Sequence, residues 1–228
     1  MTTSATRPLT DAAFLSAAGT VRHRHIAVEG PIGVGKSSLA QRLADVLGYQ
    51  AVLEQPEANP FLERFYRNPP DHALATQLFF LFQRSAQVDR LHRPVPAMVA
   101  DFLLDRDRLF ARANLDDDEF ALYEQVYRQT ALDAPAPDLV LYLQAPAAVL
   151  HERIQQRGTP WEQGIELAYL ERINEAYSQF FLYYDAAPLL IVNAAEIDFA
   201  HSDRDFQHLV DHLGHIHSGR HYFNPTVS

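Results

Sequence analysis

Residues 30–37 read Gly30-Pro31-Ile32-Gly33-Val34-Gly35-Lys36-Ser37 and match the phosphate-binding pattern G-x-x-x-x-G-K-[ST]. In that pattern the glycines let backbone N–H groups wrap a triphosphate. Lys36 reaches the β- and γ-phosphates, and the Ser37 hydroxyl is suited to a bound Mg²⁺. An apolar, strand-like run, His25-Ile26-Ala27-Val28, precedes the pattern, and a helical run from Ser38 to Leu47 follows it. Strand, glycine-rich turn and helix in this order turn the helix's positive N-terminus toward an anion. Gly30 to Ser38 is therefore read as a segment that binds a nucleoside triphosphate, in preference to a glycine-rich turn that binds nothing.

Four further groups have types and spacing suited to phosphoryl transfer. Glu54 ends a short strand candidate, Ala51-Val52-Leu53-Glu54, and Asp101 ends another, Ala97-Met98-Val99-Ala100-Asp101. In an open α/β sheet ligands bind beyond the carboxyl ends of the strands, so both acids are expected to face the triphosphate. A carboxylate there can take the proton of an attacking hydroxyl. Its plainer reading is a helix cap or a salt-bridge partner. Arg153 and Arg157 stand at i, i+4 at the end of one helix and lead into Gly158-Thr159-Pro160-Trp161. On a segment that closes, they would neutralise charge on the transferred group. Their plainer reading is a solvated face. Gln77 and Arg84 lie two turns apart and share a helix face, and a glutamine amide can pair with a nucleobase edge. The acidic run Asp116-Asp117-Asp118-Glu119 fits a helix start better than a metal site. His208, His212, His215 and His217 fit a helix surface better than a metal site.

The elements that must position these groups follow from the pattern of apolar residues. Strands are expected at 25–28, 51–54, 97–101, 138–143 and 189–192. Helices are expected at 38–47, 60–66, 71–92, 105–131, 146–157, 166–184 and 203–217. The 71–92 helix carries Leu74, Leu78, Leu81 and Phe82 at helical spacing, and Pro94 and Pro96 end it. The 166–184 helix carries Leu167, Leu170, Ile173 and Tyr177 on one face. Alternating strands and helices predict an α/β fold, a five-stranded parallel sheet with helices on both faces.

With 228 residues, 47% of them hydrophobic, the chain suits one globular domain with a lid. A formal net charge of −10 argues against a binder of duplex nucleic acid. The chain has no cysteine, which excludes disulfides and thiolate metal sites. It has no apolar run near the ~20 residues of a membrane span. Residues 1–23 read as a flexible N-terminal segment without the marks of a signal peptide, and 219–228 as a tail without a clear period. The expectation is a cytoplasmic protein with its domain at 24–218.

From about Arg24 to about Asp198 the chain resembles the deoxynucleoside kinase family, in particular its bacterial deoxyadenosine/deoxyguanosine kinase branch. The resemblance is carried by the P-loop, by Glu54 with Asn59-Pro60-Phe61-Leu62 and Phe65-Tyr66, and by Gln77 and Arg84 on one helix. Arg153, Arg157-Gly158, Glu162-Gln163-Gly164-Ile165 and Tyr169-Leu170 match the family's lid, at about 153–166. The resemblance implies transfer of the γ-phosphate of ATP, with Mg²⁺, to the 5′-hydroxyl of a deoxynucleoside, a purine on branch grounds. It makes Glu54 the general base, Gln77 the base-reading amide and Arg84 a second wall of the base pocket. Tyr66 and Glu162 would contact the sugar 3′-hydroxyl, and Arg153 and Arg157 would clamp phosphates. It also implies a homodimer packed through helices.

Three positions depart from the family. Ala100-Asp101-Phe102 stands where many relatives carry Glu-Arg-Ser. Asp101, displaced by one place, is then expected to serve metal or acceptor, with Arg106 restoring positive charge one turn on. Gln55 replaces a proline after Glu54, and Thr159 replaces a third lid arginine. A P-loop nucleoside monophosphate kinase and a non-catalytic nucleotide switch are the competing readings. The first would need extra cations for an acceptor phosphate, and the second has no use for Glu54 beside a base pocket.

Overall fold

The computed structural model describes residues 21–91, 97–130, 136–197, 199 and 202–224. The expected helix stop at Pro94 and Pro96 lies outside them, as does the segment before residue 21. Six parallel strands form one sheet: β1 (His25–Glu29), β2 (Gln50–Val52), β3 (Met98–Ala100), β4 (Leu139–Gln144), β5 (Leu189–Asn193) and β6 (Arg220–Phe223). Their spatial order is β2-β3-β1-β4-β5-β6. The helices are α1 (Lys36–Leu47), α2 (Leu62–Arg67), α3 (Pro69–Leu91), α4 (Arg106–Asn114), α5 (Asp117–Thr130), α6 (Ala147–Arg157), α7 (Leu167–Leu182) and α8 (Asp203–Leu213).

The central strands are buried on both faces, as near-continuous apolar runs in a parallel sheet require. Ile26 and Val28 face Leu39, Leu43, Leu150, Ile154 and Phe206, so α1, α6 and α8 cover one side. Ala27, Val140 and Tyr142 face Ile173, Tyr177 and Phe181, so α7 covers the other, with Phe110 of α4 beside it. A third cluster joins α2, α3, α4 and α5 through Phe65, Leu81, Ala111 and Tyr123. Strand order reverses at β1, whose two neighbours β3 and β4 lie far from it in sequence. The P-loop leaves β1 at that switch point, where ligands bind in such sheets.

Several expectations are corrected. The sheet has six strands rather than five, because Arg220–Phe223 pairs in parallel with Leu189–Val192. Gly219, at φ 76°, turns the chain into this strand. An edge strand needs little apolar sequence, so the tail gave no period, and the sheet runs past residue 218 where the domain was expected to end. The single helix expected at 105–131 is two. Leu115 turns extended at φ −102°, ψ 147°, and Asp116 restarts the chain. The Glu119 N–H donates to Asp116 Oδ1 at 2.8 Å, and the Asp116 N–H to Glu119 Oε2 at 3.4 Å. That reciprocal pair is a capping box, which accounts for the acidic run. Phe82 does not share the buried stripe of Leu81. It lies 100° round the helix and is 57% exposed. Leu167 is 40% exposed, at the first turn of α7.

His212 packs against Phe223 and His221 at ring-centroid distances of 5.7 and 6.5 Å. Among the described residues no group of three metal-ligating side chains forms. Among them, too, no helix is long and apolar enough to cross a membrane.

Gly30 joins β1 to the P-loop at φ +147°, and a Cβ there would stand 2.5 Å from the Leu143 carbonyl oxygen. The neighbour is backbone of the adjacent strand and cannot rotate away. Gly30→Ala is expected to destabilise the fold by about 2 kcal/mol or more, combining backbone strain with displacement of β4. A urea melt checks it, and a wild-type midpoint would show that the loop re-forms around a side chain.

Candidate active site

The glycines of the P-loop hold the turn between β1 and α1. Gly35, at φ 101°, is the residue before α1, and its carbonyl accepts from the Leu39 N–H at 3.1 Å. Val34 is buried, its N–H pointing to the Pro31 carbonyl at 3.4 Å. Ile32, Gly33, Lys36 and Ser37 form one wall of a cavity of about 140 Å³. Lys36 Nζ donates to its own loop, at the Pro31 carbonyl, 3.1 Å away. Ser38 is exposed on the first turn of α1.

Strand ends supply the floor. Glu54 lies two residues beyond β2 and Asp101 directly beyond β3, and both line the cavity. Asp101 ties the two halves together. It accepts from the Ser37 hydroxyl through Oδ2 and from the Glu54 backbone N–H through Oδ1 at 2.8 Å. Burial and the nearby Glu54 charge raise the Asp101 pKa. A carboxylate and a hydroxyl side by side near Lys36 are hard oxygen donors of the kind that would hold Mg²⁺.

Glu54 sits between two arginines. Arg106 Nη2 donates to both its oxygens at 2.8 Å, and Arg84 Nη2 donates to Oε1. Burial pushes the Glu54 carboxyl up, but Arg106, Arg84 and Lys36 outweigh it and hold the pKa at about 2. Arg84 is itself shared, its Nη1 donating to the buried Asp107. Arg106 is shared too, with Nη1 3.6 Å from Glu29. Glu29, fully buried at the end of β1, accepts from Gly30 N–H at 2.9 Å, Leu103 N–H at 2.7 Å and Tyr177 Oη at 2.9 Å. Asp107, Arg84, Glu54, Arg106 and Glu29 thus form a buried row of alternating charge from α4 to the P-loop. Buried ions of this kind persist only when each is paired and hydrogen-bonded.

Helix α3 provides the opposite wall with Thr76, Gln77, Phe80 and Arg84. Tyr66 of α2 completes it, next to Tyr169 at 6.2 Å between ring centroids. Beyond α6, Pro160–Glu162 forms a 3-10 turn that packs against α2. Gly164 comes so close that a Cβ would meet the Tyr66 carbonyl oxygen at 3.4 Å. Arg157, Trp161 and Glu162 face the cavity, and Arg157 Nη2 donates to Glu162 Oε1 at 2.7 Å.

Glu54, Tyr66, Gln77, Arg84, Asp101, Arg106, Arg157 and Glu162 are brought together, with Lys36 and Ser37, around one cavity. Arg153 is not among them. Its Nη2 donates to the carbonyls of Ala194 and Ala195 at 2.8 and 3.0 Å, past the end of β5. The shared face expected of Arg153 and Arg157 therefore divides, because carbonyls beyond β5 hold the first of them. Asp107, Glu29, Tyr177 and Thr76 were missed by sequence reasoning. A carboxylate closing an apolar strand was the available signal for Glu29, and the other three carry none.

The deoxynucleoside kinase family model matches residues 26–217 of this chain. The chain is 31% identical over 196 residues to a deoxyguanosine kinase of Bacillus subtilis, covering 82% of this chain and 95% of the relative. It is 30% identical over 188 residues to a deoxyadenosine kinase of Lactobacillus acidophilus, covering 76% and 87%. Among solved structures, a deoxyadenosine kinase from M. mycoides with the products dCMP and dCDP bound aligns with a TM-score of 0.70. The identity there is 27%, over 82% of this chain and 95% of that one. These matches run through the P-loop, the cavity and the segment that folds over it, and the chain belongs to the deoxynucleoside kinase family, ATP-dependent phosphotransferases.

Proposed function

We propose that the cavity takes a purine deoxynucleoside and that Glu54 accepts the proton of its 5′-hydroxyl as the γ-phosphate of ATP is transferred. The observation that carries this reading is the charge balance around the cavity. Four cations of the cavity lining, Lys36, Arg84, Arg106 and Arg157, stand with the lining carboxylates Glu54, Asp101 and Glu162, and Asp107 and Glu29 are buried behind Arg84 and Arg106, so no positive charge is in surplus. A phosphate acceptor would need surplus positive charge beside it, whereas a neutral sugar and base need hydrogen-bond partners. Those partners are at hand. Buried polar atoms of the lining without a partner include Thr76 Oγ1, Arg84 Nε, Arg106 Nε and Glu162 Oε2. Gln77 serves as the base-reading amide. Tyr66 and Glu162 hold the 3′-hydroxyl.

In this reading Gly30 to Ser38 hold the donor triphosphate, and Lys36 and Arg157 meet the charge on the moving phosphoryl group. Ser37 and Asp101 would hold Mg²⁺, which supplies charge neutralisation at the phosphate oxygens when bound. Residues 153–166 act as the lid. The deoxyguanosine and deoxyadenosine kinases among the relatives support the purine preference. A homodimer is supported by Phe82 and Leu122, exposed at 57% and 47% on the neighbouring helices α3 and α5.

A phosphoryl-transfer assay over deoxynucleosides, ribonucleosides and nucleoside monophosphates tests the reading. Turnover is expected with deoxyguanosine or deoxyadenosine, and turnover with monophosphates alone would overturn it. Gln77→Ala is expected to raise the nucleoside KM by about 10-fold or more, since a polar edge of the base loses its partners, and to leave the ATP KM in place. Equal loss of both affinities would assign Gln77 to the fold instead.

A further inference from the structure

Thr76 stands on α3 one residue before Gln77, 1% exposed and in the cavity wall. Its Oγ1 is buried without a hydrogen-bond partner. A helical threonine has a ready partner in the carbonyl four residues back. Thr130 in α5 uses that option, donating to the Val126 carbonyl at 2.7 Å. Thr76 does not, although the turn around it is firmly held. Its own carbonyl accepts from Asn59 Nδ2 at 3.2 Å, and Asn59 Oδ1 accepts from the Phe61 N–H at 3.0 Å. Valine has the same shape and would fill the position without stranding a hydroxyl in the interior. The hydroxyl contributes nothing to the ligand-free fold, so its partner is to be sought in the cavity.

Position along the helix says which part of the acceptor that is. Thr76, Phe80 and Arg84 stand at i, i+4 and i+8, one stripe down α3 that lines the cavity throughout. Arg84 meets Glu54 at the reacting end. Thr76 lies two turns away, on the side of Gln77 and remote from the transferred phosphoryl group. Resting on the acceptor site proposed above, we infer that the Thr76 hydroxyl hydrogen-bonds a polar substituent of the purine and holds the base together with Gln77. A hydroxyl rotates to donate to an oxo group or to accept from an amino group. One residue at this position therefore serves guanine and adenine alike, where an amide would have to flip.

The test compares Thr76→Val and Thr76→Ser with the wild type on deoxyguanosine, deoxyadenosine and unsubstituted purine deoxyriboside. Loss of one neutral hydrogen bond corresponds to a rise in nucleoside KM of about 2- to 12-fold. Thr76→Val should show that rise for the two substituted purines and none for the unsubstituted one. Its ATP KM should stay put and its melting temperature hold or rise, and Thr76→Ser should restore the wild-type KM. Unchanged KM values in Thr76→Val overturn the inference. So does a lower melting temperature with KM values that serine fails to restore, because the hydroxyl is then structural. Gln77→Ala run in parallel separates the two levels. If it raises nucleoside KM while Thr76→Val is silent, only the role of Thr76 falls. If neither variant does, the cavity is not the acceptor site.

Discussion

Replacing Lys36 by alanine is expected to reduce phosphoryl transfer by on the order of 10²–10³-fold or more, while leaving the protein folded. Lys36 lies in the cavity wall and makes its hydrogen bond to the loop it belongs to, at Pro31. It has no strut-like role between elements. Burial lowers its pKa, with Arg106 pushing the same way and Glu29, Glu54 and Asp101 opposing. A folded-state pKa below the unfolded one means that the charged ammonium weighs against the ligand-free fold. That cost is present at neutral pH and is relieved as pH rises from the folded value toward 10.5. Lys36→Ala should therefore melt at or above the wild-type temperature at pH 7, with the two converging at higher pH. Thermal protection by ATP should shrink in the variant, since the γ-phosphate loses its cation. Turnover and melting curves from one preparation decide the matter. A folded variant with near-wild-type turnover would remove the P-loop from the chemistry.

What could be read from the sequence is what local order encodes. The P-loop, its flanking strand and helix, and the arrival of Glu54 and Asp101 at strand ends all follow from stretches of ten residues or so. Gln77 and Arg84 share a face because helix geometry alone puts them there. Partners were not legible. Glu29 meets a tyrosine 148 positions away, and Arg84 meets an aspartate 23 positions on. Arg153 left the cavity for carbonyls about 40 positions further on, a choice that no periodicity records. The Ala100-Asp101-Phe102 departure marked a place where charge had been rearranged. Only the fold shows Arg106 reaching Glu54 from the first turn of α4, while Asp101 reaches back to Ser37. The net charge of −10 said nothing of this either. Arg84 and Arg106, which meet Glu54, are buried and paired, so they add little to the surface field.

Replacing Glu54 by glutamine is expected to lower turnover by ~10²–10⁴-fold per folded molecule, because the amide keeps the size of the side chain but cannot accept a proton. The structure adds a second consequence. Glu54 is 12% exposed and answers two buried arginines, so the variant leaves Arg84 and Arg106 short of a counter-charge. A destabilisation of about 2–4 kcal/mol is expected at neutral pH. Its pH dependence has a definite sign. Burial raises the Glu54 pKa, but Arg106, Arg84 and Lys36 prevail and bring it from 4.5 to about 2. The stabilisation is fully present above the unfolded value and is lost as pH falls from about 4.5 through about 2. The melting-temperature gap between wild type and variant should be widest above pH 5 and narrow below 4.5. Between pH 5 and 8 the carboxylate stays ionised, so wild-type turnover should show no acidic limb from this group. A purely structural Glu54 predicts the same melting behaviour but near-normal turnover once the folded fraction is counted. That outcome would pass the proton-accepting role to Asp101, whose pKa burial and the Glu54 charge already raise.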